Sequence, residues 1–460
     1  MGNEITAFLN SPRNIFRGVD LTSAKAFYGR ALESDHGCWE AHYFFGVVSL
    51  QEGSLPAAKK YFQTLLSLDK ASLDACLALS AIFMAEKNFP EAVKFCERAI
   101  ALDDKCLLAY NSLCRYYTFD RPDFDRALYY AEKSLGIDPS QLWPSVALAE
   151  LTIMSGNFYD GFVRHAQNYP FFVNDVRVAA FQKLPVWQGE IFSGKKLIIG
   201  DHAWFAGAGD IMMLCRYLPQ VKARGGRVTL PLPRNLWRLF GDFKAADEII
   251  PYDEGRDYEV TDRVNTQNYD LRAPLISLPG IFGISEKNIS EKIPYLRVPS
   301  PLTQAFGELI NNDGKLKVGL VWSCGNRVDS GRTCGFDALM PLLALSGVNY
   351  YSLQMGEGAK EMRAFPNLFD LTAHITDFAD TAALIENLDL VISVDTSVAH
   401  LAGALGKPVW TLLPFCLNWR WMLDRADSPW YPTMRLFRSK TPGGWEAVIE
   451  EVRKNLEALL

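Results

Sequence analysis

Between residues 41 and 96 the chain repeats itself at a constant offset of 34: Ala41, Phe45, Gly46, Gly53, Ala58 and Phe62 recur as Ala75, Leu79, Ser80, Lys87, Ala92 and Cys96. A period of this length fits one antiparallel helix pair with its turns, and such a pair buries its apolar side only by stacking on copies of itself. A third copy runs through Ala109, Tyr110, Leu113, Tyr117, Ala127, Ala131 and Pro139. Its late positions are displaced by one residue near Arg121-Pro122-Asp123, which predicts a loop insertion between its two helices. Upstream, Ala24, Tyr28 and Ala31 read as a lone second helix; downstream, Leu148, Gly156 and Gly161 read as a degraded fourth unit ending near Tyr169. Three full repeats within residues 1–169 are expected, their small residues letting the helices approach. Core packing is the plain role of these Ala, Leu, Tyr and Cys residues. Recognition of a peptide or protein would fall to the concave face.

Near residue 170 the pattern changes. Residues 170–194 contain scattered prolines and no sustained period, as in a linker or docking segment. Strands then alternate with helices: KLIIG (196–200), a glycine-containing loop DHAWFAGAGD, a helix from Ile211 to Arg224 interrupted at Pro219, then the strand RVTLPLP. The alternation continues through YDLRAPLISLPGIFG and restarts at KVGLVWS, which predicts two doubly wound halves, 195–300 and 301–460, with a cleft between the carboxyl ends of their strands. The most informative block lies in the second half, LDLVISVDTSVAHLAGALGKPVWTLLP (388–414). It reads as a buried strand ending at Asp395, a helix opened by Thr396 and stopped by Gly406 and Pro408, and a second strand. First-turn amides of Ser397, Val398 and Ala399, with the helix dipole, form a site for phosphate or diphosphate. Thr396, His400 and Gly403 share one helix face. The plainer alternative is a buried turn with a capping Thr and a packed His.

Composition narrows the function classes. The chain has 460 residues, 49% of them hydrophobic, a net charge of −6 and no run of five like charges, which argues against nucleic acid or an anionic membrane surface as partner. No 18-residue apolar run occurs and the N-terminus does not resemble an export signal, so a cytoplasmic protein without a transmembrane segment is expected. The nine cysteines form no close pair, as expected of reduced thiols; neither a disulfide nor a metal site is anticipated.

The repeat spacing resembles that of tetratricopeptide helix pairs. From about residue 185 to 457 the chain resembles glycosyltransferases related to bacterial heptosyltransferases (glycosyltransferase family 9), often fused behind such repeats, on the stretches AGAGDIMMLCRYLP, YDLRAPLISLPGIFG, VGLVWS, YYSLQMG, DFADTAALIENLDLVISVDTSVAHLAGALGKPVWTLLP and WRWMLDRADSPWYPTMRLFR. The resemblance implies an α + α/β chain: tetratricopeptide helical repeats followed by a GT-B glycosyltransferase of two Rossmann-like domains, acceptor half first and donor half second. It also implies a nucleotide-sugar as co-substrate, no other cofactor, no metal, and inversion at the anomeric carbon.

Residue by residue, the resemblance places Asp210 as general base, with a cap on the following helix as its structural alternative and Asp201 and His202 as rival bases. Asp395, Thr396, Ser397 and His400 match the donor-phosphate motif, and Gln354 in SLQMG matches a donor contact. Two loops depart from the family pattern. His202, Ala203, Trp204 and Phe205 lengthen the first, and the usual Gly-Asn-Pro after VGLVWS is replaced in CGNRVDSGRTCGFD, where Arg327 or Arg332 would meet the donor phosphates. Trp419, Arg420, Trp430 and Tyr431 are cleft or nucleotide candidates, with packing as the alternative for the aromatics. The expected activity is transfer of a sugar to a protein recruited by the repeats, such as flagellin or another surface protein. Alternatives are transfer to lipopolysaccharide or another glycan, and a non-catalytic repeat scaffold with a degenerate transferase domain.

Overall fold

The computed structural model describes residues 3–10, 20–168, 183–200, 207–253, 266–289, 292–325 and 331–460. The chain forms two compact units, Met1–Leu148 and Ala149–Leu460.

In the first unit, α1 (Asn3–Asn10) and α2 (Leu21–Ser34) precede the pairs α3 (Trp39–Gln51) with α4 (Leu55–Leu68), α5 (Leu73–Ala85) with α6 (Phe89–Leu102), and α7 (Leu107–Arg115) with α8 (Phe124–Ile137). The small repeat positions do what their size suggests: a Cβ on Gly46 would lie 2.7 Å from the Phe62 ring, so only glycine lets α3 and α4 close here. The periodicity extends to charge, since the ion pair Lys25–Glu52 recurs 34 residues on as Lys59–Glu86. It extends to backbone as well: Gly53 after α3 has φ 76°, and its counterpart Lys87 after α5 takes φ 57°. The one-residue displacement in the third repeat is not held by the loop alone. A π-helical turn, Tyr116–Asp120, continues α7 and takes up the extra residue before Arg121.

The boundary between units falls inside α9 (Leu142–Met154), although the sequence period changes only near residue 170. The second unit therefore includes residues 149–154 of α9 and all of α10 (Phe158–Gln167), packed closely because Gly161 sits against Ala149 and Ile153.

Two parallel sheets follow. The first contains β1 (Lys196–Ile199), β2 (Arg227–Pro233), β3 (Glu248–Tyr252) and β4 (Leu271–Ala273) in the order β3-β2-β1-β4. The second contains β5 (Leu316–Val321), β6 (Val348–Ser352), β7 (Leu368–Asp370), β8 (Leu390–Val394), β9 (Val409–Leu413) and β10 (Met434–Arg438) in the order β10-β9-β8-β5-β6-β7. Counted from β5, that is the doubly wound order 3-2-1-4-5-6, and the central strands β8 and β9 are buried along their whole length. In such sheets ligands sit where the strand order reverses, here between the carboxyl ends of β5 and β8; in the first sheet the same place lies between β1 and β4. Helix α11 (Ala208–Leu214) follows β1 in the first half; α12 (Ser300–Gly307) precedes the second sheet, in which α13 (Phe378–Glu386), α14 (Ser397–Ala404) and the closing α15 (Trp445–Glu457) follow β7, β8 and β10. Helix α11 begins at Ala208, three residues before the predicted Ile211. The predicted break comes as a 3-10 turn, Cys215–Tyr217, ahead of Pro219, which has no amide to continue the helix hydrogen bonds and sits instead in the first turn of a new short helix, Leu218–Lys222.

The two halves are held by polar clamps. Arg238 donates to both oxygens of Asp380 at 3.1 and 3.0 Å. Arg216, on the buried stretch after α11, donates to the carbonyls of Met213, Ile289 and Trp430 and to the Tyr295 hydroxyl, while its guanidinium stacks on Tyr295 and Tyr431. With no carboxylate partner among the described residues, this buried cation survives because these carbonyl, hydroxyl and aromatic partners replace its hydration.

Candidate active site

Helices α11 and α14 meet face to face at their first turns. A Cβ on Gly209 would stand 2.7 Å from His400 Cδ2 and 3.4 Å from the Ser397 Cα, so glycine is required for the two turns to approach. This contact brings Asp210 and the Asp395-Thr396-Ser397 turn into one cleft.

Asp210 lies in the first turn of α11, behind the N-cap Gly207, and is not the cap itself. Arg420 donates to its Oδ1 from Nε at 2.7 Å and places Nη2 2.6 Å from the same oxygen. Burial works against the Arg420 charge, but Asp210 and then Asp395 outweigh it and hold its pKa above the ordinary value. The Arg420 guanidinium also lies over the Trp419 ring, 4.4 Å from its centroid. The turn that presents it carries one strained residue, Met422 at φ 57°, and is fixed by Arg438, whose Nη2 donates to the carbonyls of Trp421, Met422 and Leu423.

Across the cleft, Asp395 is buried at the end of β8, accepts from Asn418 Nδ2 at 3.1 Å and lies 3.6 Å from Arg332 Nη1. Thr396 opens α14 without a side-chain cap; its hydroxyl is 3.0 Å from that of Ser393. Of the three amides expected to face a phosphate, that of Ala399 donates to the Thr396 carbonyl at 3.1 Å, which leaves those of Ser397 and Val398 as the open ones of the first turn. Thr396 and Ser397 are half-buried at the cleft surface.

Other expected residues are placed differently. His400 is enclosed: its ring stacks on Trp421 at 5.0 Å and its Nδ1 is 3.0 Å from the Tyr431 hydroxyl. Burial brings its pKa down to about 4, so it is neutral near pH 7. Gly403 makes room for the Tyr431 ring, against which a Cβ would stand at 2.5 Å. Gln354 is a brace at the end of β6: its Oε1 accepts from the amides of Trp322 and Ser323, and its Nε2 donates to the Met355 carbonyl. Trp419, Trp430 and Tyr431 are only 3, 0 and 0% exposed, so they offer no open ring face to a nucleobase. Asp201, His202 and Arg327 lie outside the described residues. Among the described residues no group of three or more His, Cys, Asp or Glu gathers as metal ligands, and none of the nine cysteines forms a disulfide.

Sequence reasoning missed three contributors. Arg216 and Glu150 each stand as a lone charge in an apolar helical run, MLCRYL and LAELTIM, and a lone charge there signals a buried polar contact. Asn418 gives no such signal.

The fold and this cleft define a helical-repeat array joined to a GT-B-like pair of Rossmann domains. A tetratricopeptide repeat model matches residues 49–115, and a glycosyltransferase family 9 (heptosyltransferase) model matches residues 358–414, which include the Asp395 turn. The chain thus carries tetratricopeptide repeats and a glycosyltransferase family 9 domain. It is 30% identical over 293 residues to Protein FlbA of Caulobacter vibrioides, a match covering 58% of this chain and 47% of that protein, so it spans about half of the curated relative's length. Among solved structures, the glycosyl transferase family 9 protein of Veillonella parvula aligns at 12% identity and TM-score 0.43 over 59% of this chain and 99% of that one. The E. coli ADP-heptose lps heptosyltransferase II aligns at 16% identity and TM-score 0.41 over 58% and 98%. Among the described residues no helix is long and apolar enough to cross a membrane.

Proposed function

We propose that the protein is an inverting glycosyltransferase that uses a nucleotide-sugar and needs no metal, and that its acceptor is a protein brought by the repeats. The observation that carries this reading is the approach of Asp210 and the Asp395-Thr396-Ser397 turn, each at the strand-order reversal of its own sheet, with Gly209 at the contact. The donor diphosphate lies at the first turn of α14, against the Ser397 and Val398 amides, the Thr396 and Ser397 hydroxyls and the helix dipole. Arg332 adds positive charge beside it.

Both guanidinium bonds fall on Asp210 Oδ1, so Oδ2 is the oxygen that takes the proton of the acceptor hydroxyl. The acceptor oxygen then bonds the anomeric carbon as the bond from that carbon to the diphosphate oxygen breaks. The negative charge that develops on the diphosphate is met by the α14 amides and Arg332. A protein acceptor is supported by the tetratricopeptide match, since stacked helix pairs present extended surfaces for peptides.

The test is release of nucleoside diphosphate from UDP-, ADP- and GDP-sugars, or of CMP from CMP-sugars, by the full chain and by Asp210→Asn. Turnover of one donor, lost in Asp210→Asn while nucleotide binding is kept, supports the reading. No turnover of any donor by the wild type favours the non-catalytic scaffold.

A further inference from the structure

The final helical hairpin is packed against the candidate active site. Helix α10 touches both halves of the transferase: a Cβ on Gly280 in the first half would lie 3.3 Å from the Val163 amide, and Phe162 packs edge-on against Trp419 and Trp430 of the second half at 5.5 and 6.0 Å. His165, one turn on, faces Trp419 at 6.5 Å, on the same ring over which Arg420 lies. Its Nδ1 is buried with no hydrogen-bond partner among the described residues. Glu150, on the α9 segment that Gly161 locks to α10, lies within electrostatic reach of Arg420 and Asp210.

Resting on the transferase reading, we propose that Glu150 is a positioning residue for Asp210: it shares the Arg420 guanidinium and so sets how firmly that guanidinium holds the base. A helical segment of the second unit thereby completes the catalytic constellation.

The charged groups that face Glu150 are Arg420, from the turn after β9, and Asp210, from α11. Burial, the larger influence, pushes the Glu150 carboxyl up to about 7, with Arg420 opposing and Asp210 reinforcing. His165 sits in the same field and is brought down to about 4, first by burial and then by Arg420, so it is uncharged in this range. Below pH 7 a neutral Glu150 leaves Arg420 wholly to Asp210. Above it, the ionised Glu150 draws on the guanidinium and repels the Asp210 charge, and both effects favour proton uptake by Asp210.

The experiment is the pH profile of kcat/KM, from pH 5.5 to 8.5, for hydrolysis of whichever UDP-, ADP-, GDP- or CMP-sugar the full-length wild type turns over, compared with Glu150→Gln and Glu150→Asp. The wild type should gain activity through about pH 7; Glu150→Gln should lose that rise and fall about tenfold at pH 8, as expected when the basicity of a general base is reduced. Glu150→Asp should keep the rise, and donor affinity should stay unchanged in both variants. Equal profiles for wild type and Glu150→Gln would overturn the proposal, and so would a fall of the same factor at every pH in both variants, which is the mark of a purely structural role. A wild type that turns over no donor would overturn the transferase reading, and this inference with it.

Discussion

Arg420 spans the cleft between the two Rossmann halves and sets Nε and Nη2 on one oxygen of Asp210, at 2.7 and 2.6 Å. Arg420→Ala removes two charge-assisted bonds and lets the Asp210 side chain turn. The expected outcome is a fall in turnover of about 100-fold, the scale on which small misplacements of a catalytic group cost rate. Arg420→Lys keeps the charge but not the paired geometry and should recover only part of it. Steady-state kinetics of the two variants, beside their melting curves, separate lost catalysis from lost stability.

The closeness of α11 and α14 depends on Gly209. Its replacement by Ala puts a methyl 2.7 Å from His400 Cδ2, inside a seam where His400 is already wedged against Trp421 and Tyr431. Gly209→Ala should destabilise the chain by about 1 to 3 kcal/mol, as overpacking does, even though alanine is the better helix former. Urea denaturation of the variant checks this.

His400 makes stability depend on pH. Its folded pKa of about 4 lies below the ordinary 6.5, so between these values the unfolded chain binds a proton that the native state refuses. Stability is full above pH 6.5 and falls as pH drops toward 4, by on the order of 3 kcal/mol from this residue. His165 acts with the same sign, while Glu150, raised to about 7 from 4.5, has the opposite one: its contribution is present below pH 4.5 and is lost as pH rises to 7. Denaturation midpoints at pH 4.5 and 7 should therefore differ less for His400→Gln than for the wild type.

Lys87 occupies a left-handed position that its repeat counterpart Gly53 fills without strain. Lys87→Gly should stabilise the chain by about 1 kcal/mol, the scale of the left-handed penalty for a residue with a side chain. A higher denaturation midpoint with unchanged turnover is the expected result.

How much of this was legible follows from the range of the forces involved. The 34-residue period and the βαβ block at 388–414 depend on local periodicity, and the repeats, strands and Asp395 turn follow from it. The start of α11 was read late because Gly207 and Gly209 are poor helix formers; their value is the tertiary contact with α14, which no local pattern carries. The extra residue of the third repeat looked like a loop because π-turn geometry has no sequence signature. Strand β10, at a sheet edge inside an aromatic run, lacks a clean alternation. The roles of Trp419, Trp430, His400 and Gln354 turn on what covers them: a tryptophan under α10 and one facing a nucleotide are the same letter. Likewise Glu150 belongs by sequence to a fading repeat and by contact to the transferase.

The central claim, that a nucleotide-sugar sits at the first turn of α14, is tested most directly by calorimetric titration of the full chain with UDP, ADP, GDP, CMP and their sugars. Each ligand is repeated on a Thr396→Ala, Ser397→Ala double variant. The account predicts saturable binding of one nucleotide class, weakened at least tenfold in the double variant and nearly unchanged in Asp210→Asn. Binding that the double variant leaves intact would put the donor elsewhere, and an absence of binding across all the nucleotides and sugars would contradict the account.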